Sequence, residues 1–162
     1  METISLVEYH PKYQHGIDEM MVKIQQEYAE QITSRHSTII KDVYQLSGQK
    51  YRVALYGGIV VGTIGILLFS GDNAVVKRMM VHPEYRGKYF PTAKLLLETG
   101  FAWAKEHGAK TVWLGTMEQF IPAQKLYLKN GFAEIKEEEL PGGYPPNPMD
   151  TVFYKIFFSA PR

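Results

Sequence analysis

Three β-rich segments follow one another between Tyr51 and His82, separated only by two short turns, Gly57-Gly58 and Gly71-Asp72-Asn73. Glycine, Asn and Asp reach the left-handed backbone that a tight hairpin requires, so segments 51–55, 59–69 and 74–82 are expected to form an antiparallel meander. Pro83 has no N–H for a ladder and restrains His82, which ends the third strand. The next stretch differs in kind. After a polar loop, Ala93, Leu95, Leu96, Leu97, Phe101, Ala102 and Ala104 mark a strongly apolar helix that stops near Gly108. Segment 110–114 is then a strand reached through a crossover helix, and is therefore expected to run parallel to 74–82.

The flanks complete the sheet. Ile4 and Leu6 alternate with polar neighbours over 3–9, a strand ended by His10-Pro11. Ile17, Met20, Met21, Ile24, Tyr28 and Ile32 recur at spacings of three and four, an amphipathic helix over 17–32. A second short helix is expected around 39–46. Downstream, 122–130 reads as a short helix with Pro122 in its first turn and Gly131 at its end. Segments 132–138 and 151–158 are closing strands joined by Pro141-Gly142-Gly143-Tyr144-Pro145-Pro146-Asn147-Pro148. That loop is either a lid over a site or a long connection between antiparallel strands; both remain open. With no repeat and no linker, 1–162 is read as a single domain of the α/β (α+β) class. Its sheet is mixed, mostly antiparallel, of about seven strands and flanked by helices.

Composition narrows the chemistry. The 162 residues contain no cysteine, which removes thiol nucleophiles, Cys-based zinc sites and disulfides together. Eighteen Lys+Arg against 17 Asp+Glu leave a net charge of +1, without the basic excess of a nucleic-acid binder. The longest apolar stretch, 59–69, falls well short of the ~20 residues of a membrane span. Near the N-terminus, Glu2 and Glu8 stand where an export signal carries basic residues and an apolar core, so a cytoplasmic location is expected. The five histidines form no ligand-spaced pair on one helix face, and no metal site is expected. Gly-x-Ser-x-Gly and Gly-x-x-x-x-Gly-Lys-Ser/Thr are both absent, against serine hydrolase and P-loop readings.

The informative unit runs from a buried strand through Val81-His82-Pro83-Glu84-Tyr85-Arg86-Gly87-Lys88-Tyr89-Phe90-Pro91-Thr92 into the apolar helix. A helix start exposes unpaired N–H groups and the positive end of its dipole, which attracts anions. Arg86 and Lys88 add two charges on the approach, and a guanidinium grips phosphate oxygens as a fork. A phosphate-bearing ligand suits this unit; so does a plain solvated turn.

Residues 77–88, Lys77-Arg78-Met79-Met80-Val81-His82-Pro83-Glu84-Tyr85-Arg86-Gly87-Lys88, resemble the strand and acyl-CoA phosphate loop of the GNAT superfamily of acyl-CoA N-acyltransferases. The loop's usual form is Arg/Gln-x-x-Gly-x-Gly/Ala. Ala123-Gln124-Lys125-Leu126-Tyr127-Leu128-Lys129-Asn130-Gly131-Phe132 resembles the family's later Ala-x-x-Leu-Tyr-x-Lys-x-Gly-Phe element. The order of elements is similar over nearly the whole chain. The resemblance implies a GNAT-like fold that uses acetyl-CoA as co-substrate to acetylate the primary amine of a small molecule or peptide, without nucleic-acid or membrane partners. Donor-binding residues would be Met79, Met80, Val81, Arg86, Gly87, Lys88, Tyr89, Phe90, Pro91 and Thr92, with the pantetheine arm pairing with backbone near Met79 to Val81. Tyr127 would be the catalytic residue, hydrogen-bonding the leaving sulfur. A phenol at ~10 is a weaker acid than a thiol at ~8.5, so hydrogen bonding suits it better than full proton transfer.

The chain departs from the family pattern at four places. Tyr89 and Pro91 replace the small residues of the phosphate loop, Phe120 replaces a frequent Asn, and Val75 stands where many relatives carry a glutamate base. Pro91 certainly removes one N–H, for which the Thr92 hydroxyl is the expected substitute. Glu118, Glu27 and Tyr28 are the alternative bases by location, and Tyr28, Tyr44 and Tyr144 the aromatic residues expected on the acceptor side. These departures motivate a second reading, a non-catalytic acyl-CoA sensor or interaction module. The apolar strand 151–158 also offers a surface for a homodimer.

Overall fold

A computed structural model of the chain describes residues 3–32 and 49–158. The expected helix around 39–46, and Tyr44 with it, lie outside the described residues. Seven strands and three α-helices follow in the order β1 (Ser5–Glu8), α1 (Gln14–Gln25), β2 (Gln49–Tyr56), β3 (Ile59–Phe69), β4 (Asn73–Val81), α2 (Thr92–Glu106), β5 (Thr111–Thr116), α3 (Ile121–Lys129), β6 (Ala133–Ile135) and β7 (Val152–Phe157). They build one sheet of order β1-β2-β3-β4-β5-β7-β6. The meander forms as expected, with Gly57 and Gly58 at φ of 56° and 79°, a region open to glycine at no steric cost. β4 and β5, linked through α2, are parallel; the other pairs are antiparallel.

Alternate residues of the central strands enter different apolar clusters, because strand side chains point to opposite faces in turn. Ala54, Val61, Ile64, Ile66, Val76 and Leu114 pack with Leu96, Leu97 and Ala104 of α2. Tyr51, Val53 and Val60 pack with Ile17, Met20 and Ile24 of α1. The two helices therefore cover opposite faces of the sheet. Among the described residues, no helix is long and apolar enough to cross a membrane.

Two expected elements are shorter than their sequence pattern. α1 ends at Gln25, not at residue 32. The Gln25 side chain closes the turn that follows, donating to the Glu30 carbonyl at 2.8 Å and accepting from the Ile32 N–H at 3.0 Å. Tyr28 and Ile32 still pack beneath α1, so the apolar spacing outlasts the helix. β6 ends at Ile135 because Glu137–Glu139 form a 3-10 turn, in which the Glu139 carboxylate accepts from the Lys136 N–H at 2.7 Å. The 141–148 loop connects antiparallel β6 and β7 and is anchored by Tyr144. Its ring meets Phe69 and Phe153 edge-on, at 6.0 and 6.4 Å between centroids.

Candidate active site

The site begins with a fault in β4. Between the pairs Gly65↔Lys77 and Thr63↔Met80, β4 carries one residue more than β3, and Arg78 takes a left-handed φ of 52°. This is the signature of a bulge, which bends a strand and re-aims its backbone. The buried Thr63 hydroxyl donates to the Arg78 carbonyl at 2.8 Å and fixes the distortion. On its other side β4 pairs with β5 at only four positions, from Asn73↔Thr111 to Val76↔Leu114. Beyond Val76 and Leu114 the strands diverge.

A cavity of about 500 Å³ occupies this divergence. Ile24 and Tyr28 line it from the α1 side of the sheet, Ala93 from α2, and Leu126 and Tyr127 from α3, so it opens through the split sheet. Of the residues expected to hold a donor, Met79, Met80, Val81, Arg86, Gly87 and Phe90 line it together with Tyr127. Lys88, Tyr89, Pro91 and Thr92 are not in its wall. Tyr89 is 82% exposed, and the Lys88 ammonium lies 5.8 Å from its ring. Pro91 is the N-cap residue of α2, immediately before its first helical residue, Thr92.

Thr92 departs from expectation. Its side chain is fully buried and its hydroxyl has no hydrogen-bond partner. A Cβ added to Gly62 would lie 3.1 Å from the Thr92 methyl, so that methyl packs on β3.

Arg86 is held on two sides, with three of its five N–H donors engaged. Its Nε donates to the Val81 carbonyl at 2.9 Å, and its two terminal nitrogens donate to the Glu27 carboxylate at 2.7 and 2.9 Å. His82 shapes the turn before it: Nδ1 accepts from the Glu84 N–H at 3.1 Å, and burial pushes the imidazole pKa down. Phe90 is wedged edge-on between Tyr56 and Tyr85, which holds the loop close to the sheet.

Tyr127 is buried on α3 between the rings of Phe132 and Tyr154, both 5.8 Å away. Burial pushes its pKa well up, and the nearby Asp150 carboxylate adds to the shift. It is therefore a neutral hydrogen-bond donor at any physiological pH. Tyr28 lines the cavity with its ring 4.9 Å from Phe120, so Phe120 packs where an amide side chain was expected. Of the other alternative bases, Glu118 is exposed and Glu27 is held by Arg86.

Sequence reasoning passed over Lys77 and Asp150. Burial raises the Asp150 pKa to about 6, against the opposing effect of Lys77, while burial lowers that of Lys77. Asp150 follows a proline-rich loop, and nothing in its own neighbourhood marks it; the only cue is Gly115, whose missing side chain makes room for it. Lys125 and Lys129, four apart on α3, also line the cavity. Their helical spacing was the available signal.

Residues 18–132 match the Acetyltransferase (GNAT) family. Among solved structures, an acetyltransferase of the GNAT family from Staphylococcus aureus Mu50 is 30% identical, with a TM-score of 0.87 over 97% of this chain and 100% of that one. An acetyltransferase from Streptococcus agalactiae superposes with a TM-score of 0.84 at 22% identity, covering 98% of this chain and 100% of that one. PaiA N-acetyltransferase from Thermoplasma acidophilum, solved in complex with coenzyme A, gives 0.73 at 19% identity over 96% and 99% of the two chains. No curated protein sequence matches significantly. The chain belongs to the GNAT family of acetyltransferases.

Proposed function

We propose that the protein, as a single cytoplasmic domain spanning 1–162, moves the acetyl group of acetyl-CoA to the primary amine of a small molecule or peptide. The observation that carries this reading is the cavity between the diverging β4 and β5, where the free edge of β4 and Tyr127 face one space. The residues present fit an acyl-CoA. Backbone at Met79 to Val81 has no β5 partner and offers strand-like pairing to an amide-containing arm. Gly87 and the start of α2 offer N–H groups to phosphate, and Lys125 and Lys129 bring positive charge into the wall.

The donor supplies a thioester carbonyl and a thiolate leaving group. A backbone N–H of the 79–81 segment polarises the carbonyl, and the Tyr127 phenol donates a hydrogen bond to the departing sulfur. Tyr28 and Phe120 present rings to the acceptor side. Their packing suits an acceptor with an apolar or planar part.

The test is acetyl-CoA binding by calorimetry, followed by thiol release with polyamines, amino acids, aminoglycosides and peptide N-termini. Binding together with acceptor-dependent release supports the transferase; no heat and no thermal stabilisation with acetyl-CoA overturns it. The sensor reading is favoured by one observation, the engagement of all three Arg86 nitrogens by Glu27 and Val81, which leaves one N–H on each terminal nitrogen for a ligand. Tight binding with no release to any amine would support it.

A further inference from the structure

Val76↔Leu114 is the last β4–β5 pair, so Lys77 and Gly115 are the first residues past the fork. Trp113 Nε1 donates to Asn73 Oδ1 at 2.8 Å, which places the side chains of Asn73 and Trp113 on one face. Alternation carries Lys77 and Gly115 to that same face, opposite the Val76, Leu114 and α2 layer. It is the face covered by α1.

Three polar groups converge there. Asp150 Oδ2 presses into the space that a Gly115 side chain would fill, and the Tyr144 hydroxyl lies 3.0 Å from the same point. The Lys77 ammonium is 5.2 Å from the Tyr144 ring centroid. Lys77 Nζ and Tyr144 Oη are both shut off from solvent, and neither has a hydrogen-bond partner. Buried polar atoms are almost always paired. Idle donors beside a carboxylate mark a place made to receive another polar group, since a merely structural trio would close on itself.

We propose that Asp150 is the proton acceptor of the transfer reaction, taking a proton from the acceptor ammonium on the α1 face of the fork. The inference rests on the transferase reading given above and names the base that Val75 cannot be. One N–H proton passes from the ammonium to the Asp150 carboxylate. The freed lone pair attacks the thioester carbonyl carbon, the C–N bond forms, the C–S bond breaks and the electron pair leaves on sulfur. The second proton released from nitrogen goes to that sulfur, which Tyr127 holds by its hydrogen bond, and Asp150 returns its own proton to solvent.

The acidity of Asp150 suits the task. A base is most effective when its pKa lies near the working pH, and burial holds Asp150 at about 6. The titratable groups facing it are Lys77 from β4, Tyr144 from its own loop and Tyr127 from α3. Burial keeps both phenols neutral, so Lys77 is the one group of the three that tunes it. Lys77 acts as a positioning residue that lowers the Asp150 pKa.

The experiment combines kinetics with direct titration. Using the amine from the panel that gives fastest thiol release, Asp150→Asn is expected to lower kcat by about a hundredfold or more and to abolish the acidic limb of the pH profile. Its calorimetric affinity for acetyl-CoA stays within about twofold of wild type. Lys77→Met removes the cation that opposes burial, so the acidic limb moves to higher pH. Carboxyl 13C NMR of the protein without acetyl-CoA reports the same shift in the Asp150 midpoint, independently of turnover and of whether Asp150→Asn folds. An active wild type with an unchanged Asp150→Asn profile overturns the proposal alone. So does a Lys77→Met midpoint that stays in place. A wild type that binds acetyl-CoA yet releases no thiol with any amine overturns the transferase reading, and this inference with it.

Discussion

Glu27 and Arg86 face each other as two forks, with both carboxylate oxygens accepting from the guanidinium at 2.7 and 2.9 Å. The pair ties the chain just past α1 to the turn before α2, across the mouth of the cavity that Arg86 lines. Both side chains are about one-third exposed, so solvent screens the pair and its contribution to stability is about 1 kcal/mol or less. Its larger effect is on ligand binding, because a phosphate that takes the same Arg86 fork must displace Glu27, and the carboxylate also offsets the positive charge that attracts it. Glu27→Gln is expected to tighten acetyl-CoA binding several-fold at low salt while lowering the melting temperature slightly. Calorimetry at two salt concentrations checks this, since the gain should shrink as salt rises.

Tyr127→Phe removes one oxygen and keeps the ring contacts with Phe132 and Tyr154. It should reduce kcat by roughly a hundred- to a thousandfold, the range for a donor that serves a developing negative charge. Affinity for acetyl-CoA should change little. Steady-state kinetics and a binding isotherm on the same preparation separate the two, and unchanged turnover removes Tyr127 from the mechanism.

Pro91→Ala restores an N–H at the N-cap of α2, beside the positive end of the helix dipole. Acetyl-CoA affinity should rise by about twofold to tenfold, equivalent to about 0.4–1.4 kcal/mol. Affinity for a desphospho pantetheine thioester should not change. A parallel gain for both ligands would place the effect outside the phosphate loop.

Gly100 lies inside α2, where alanine is normally favoured by about 1 kcal/mol. A Cβ there would sit 2.9 Å from Ile64 Cδ1 and 3.2 Å from Ile66 Cδ1, both buried. Overpacking of this kind costs about 1–3 kcal/mol, so Gly100→Ala should be a net loss of about 1 kcal/mol. Urea unfolding with an unchanged m-value is the measurement.

The sheet was legible because its signals are local. Turn glycines, Pro83 and the apolar run of α2 each act within a few residues, and the parallel β4–β5 pair followed from a crossover helix. The end of α1 was not legible: Tyr28 and Ile32 keep an inward spacing although a Gln25 side chain has replaced the helical hydrogen bonds. The same limit applied at the site. Tyr127 and the 79–90 segment carry motifs, and Tyr127, Met79 to Val81, Arg86, Gly87 and Phe90 line one cavity. Thr92, by contrast, was expected at the donor and lies outside the cavity wall, its methyl against β3. Glu27 meets Arg86 across 59 positions of chain, and Asp150 reaches Gly115 of β5 from the loop before β7. Neither partner leaves a trace in the other's neighbourhood.

The brief β4–β5 contact, four rungs long, with the Lys110 N–H to Asp72 carbonyl bond beside it, is where backbone sews the two half-sheets together among the described residues. A molecule lying along the open edge past Val76 adds stitches to that seam, so occupancy and rigidity become one variable. Amide exchange at Met80 and Val81 then serves as a gauge of how tightly the halves are laced.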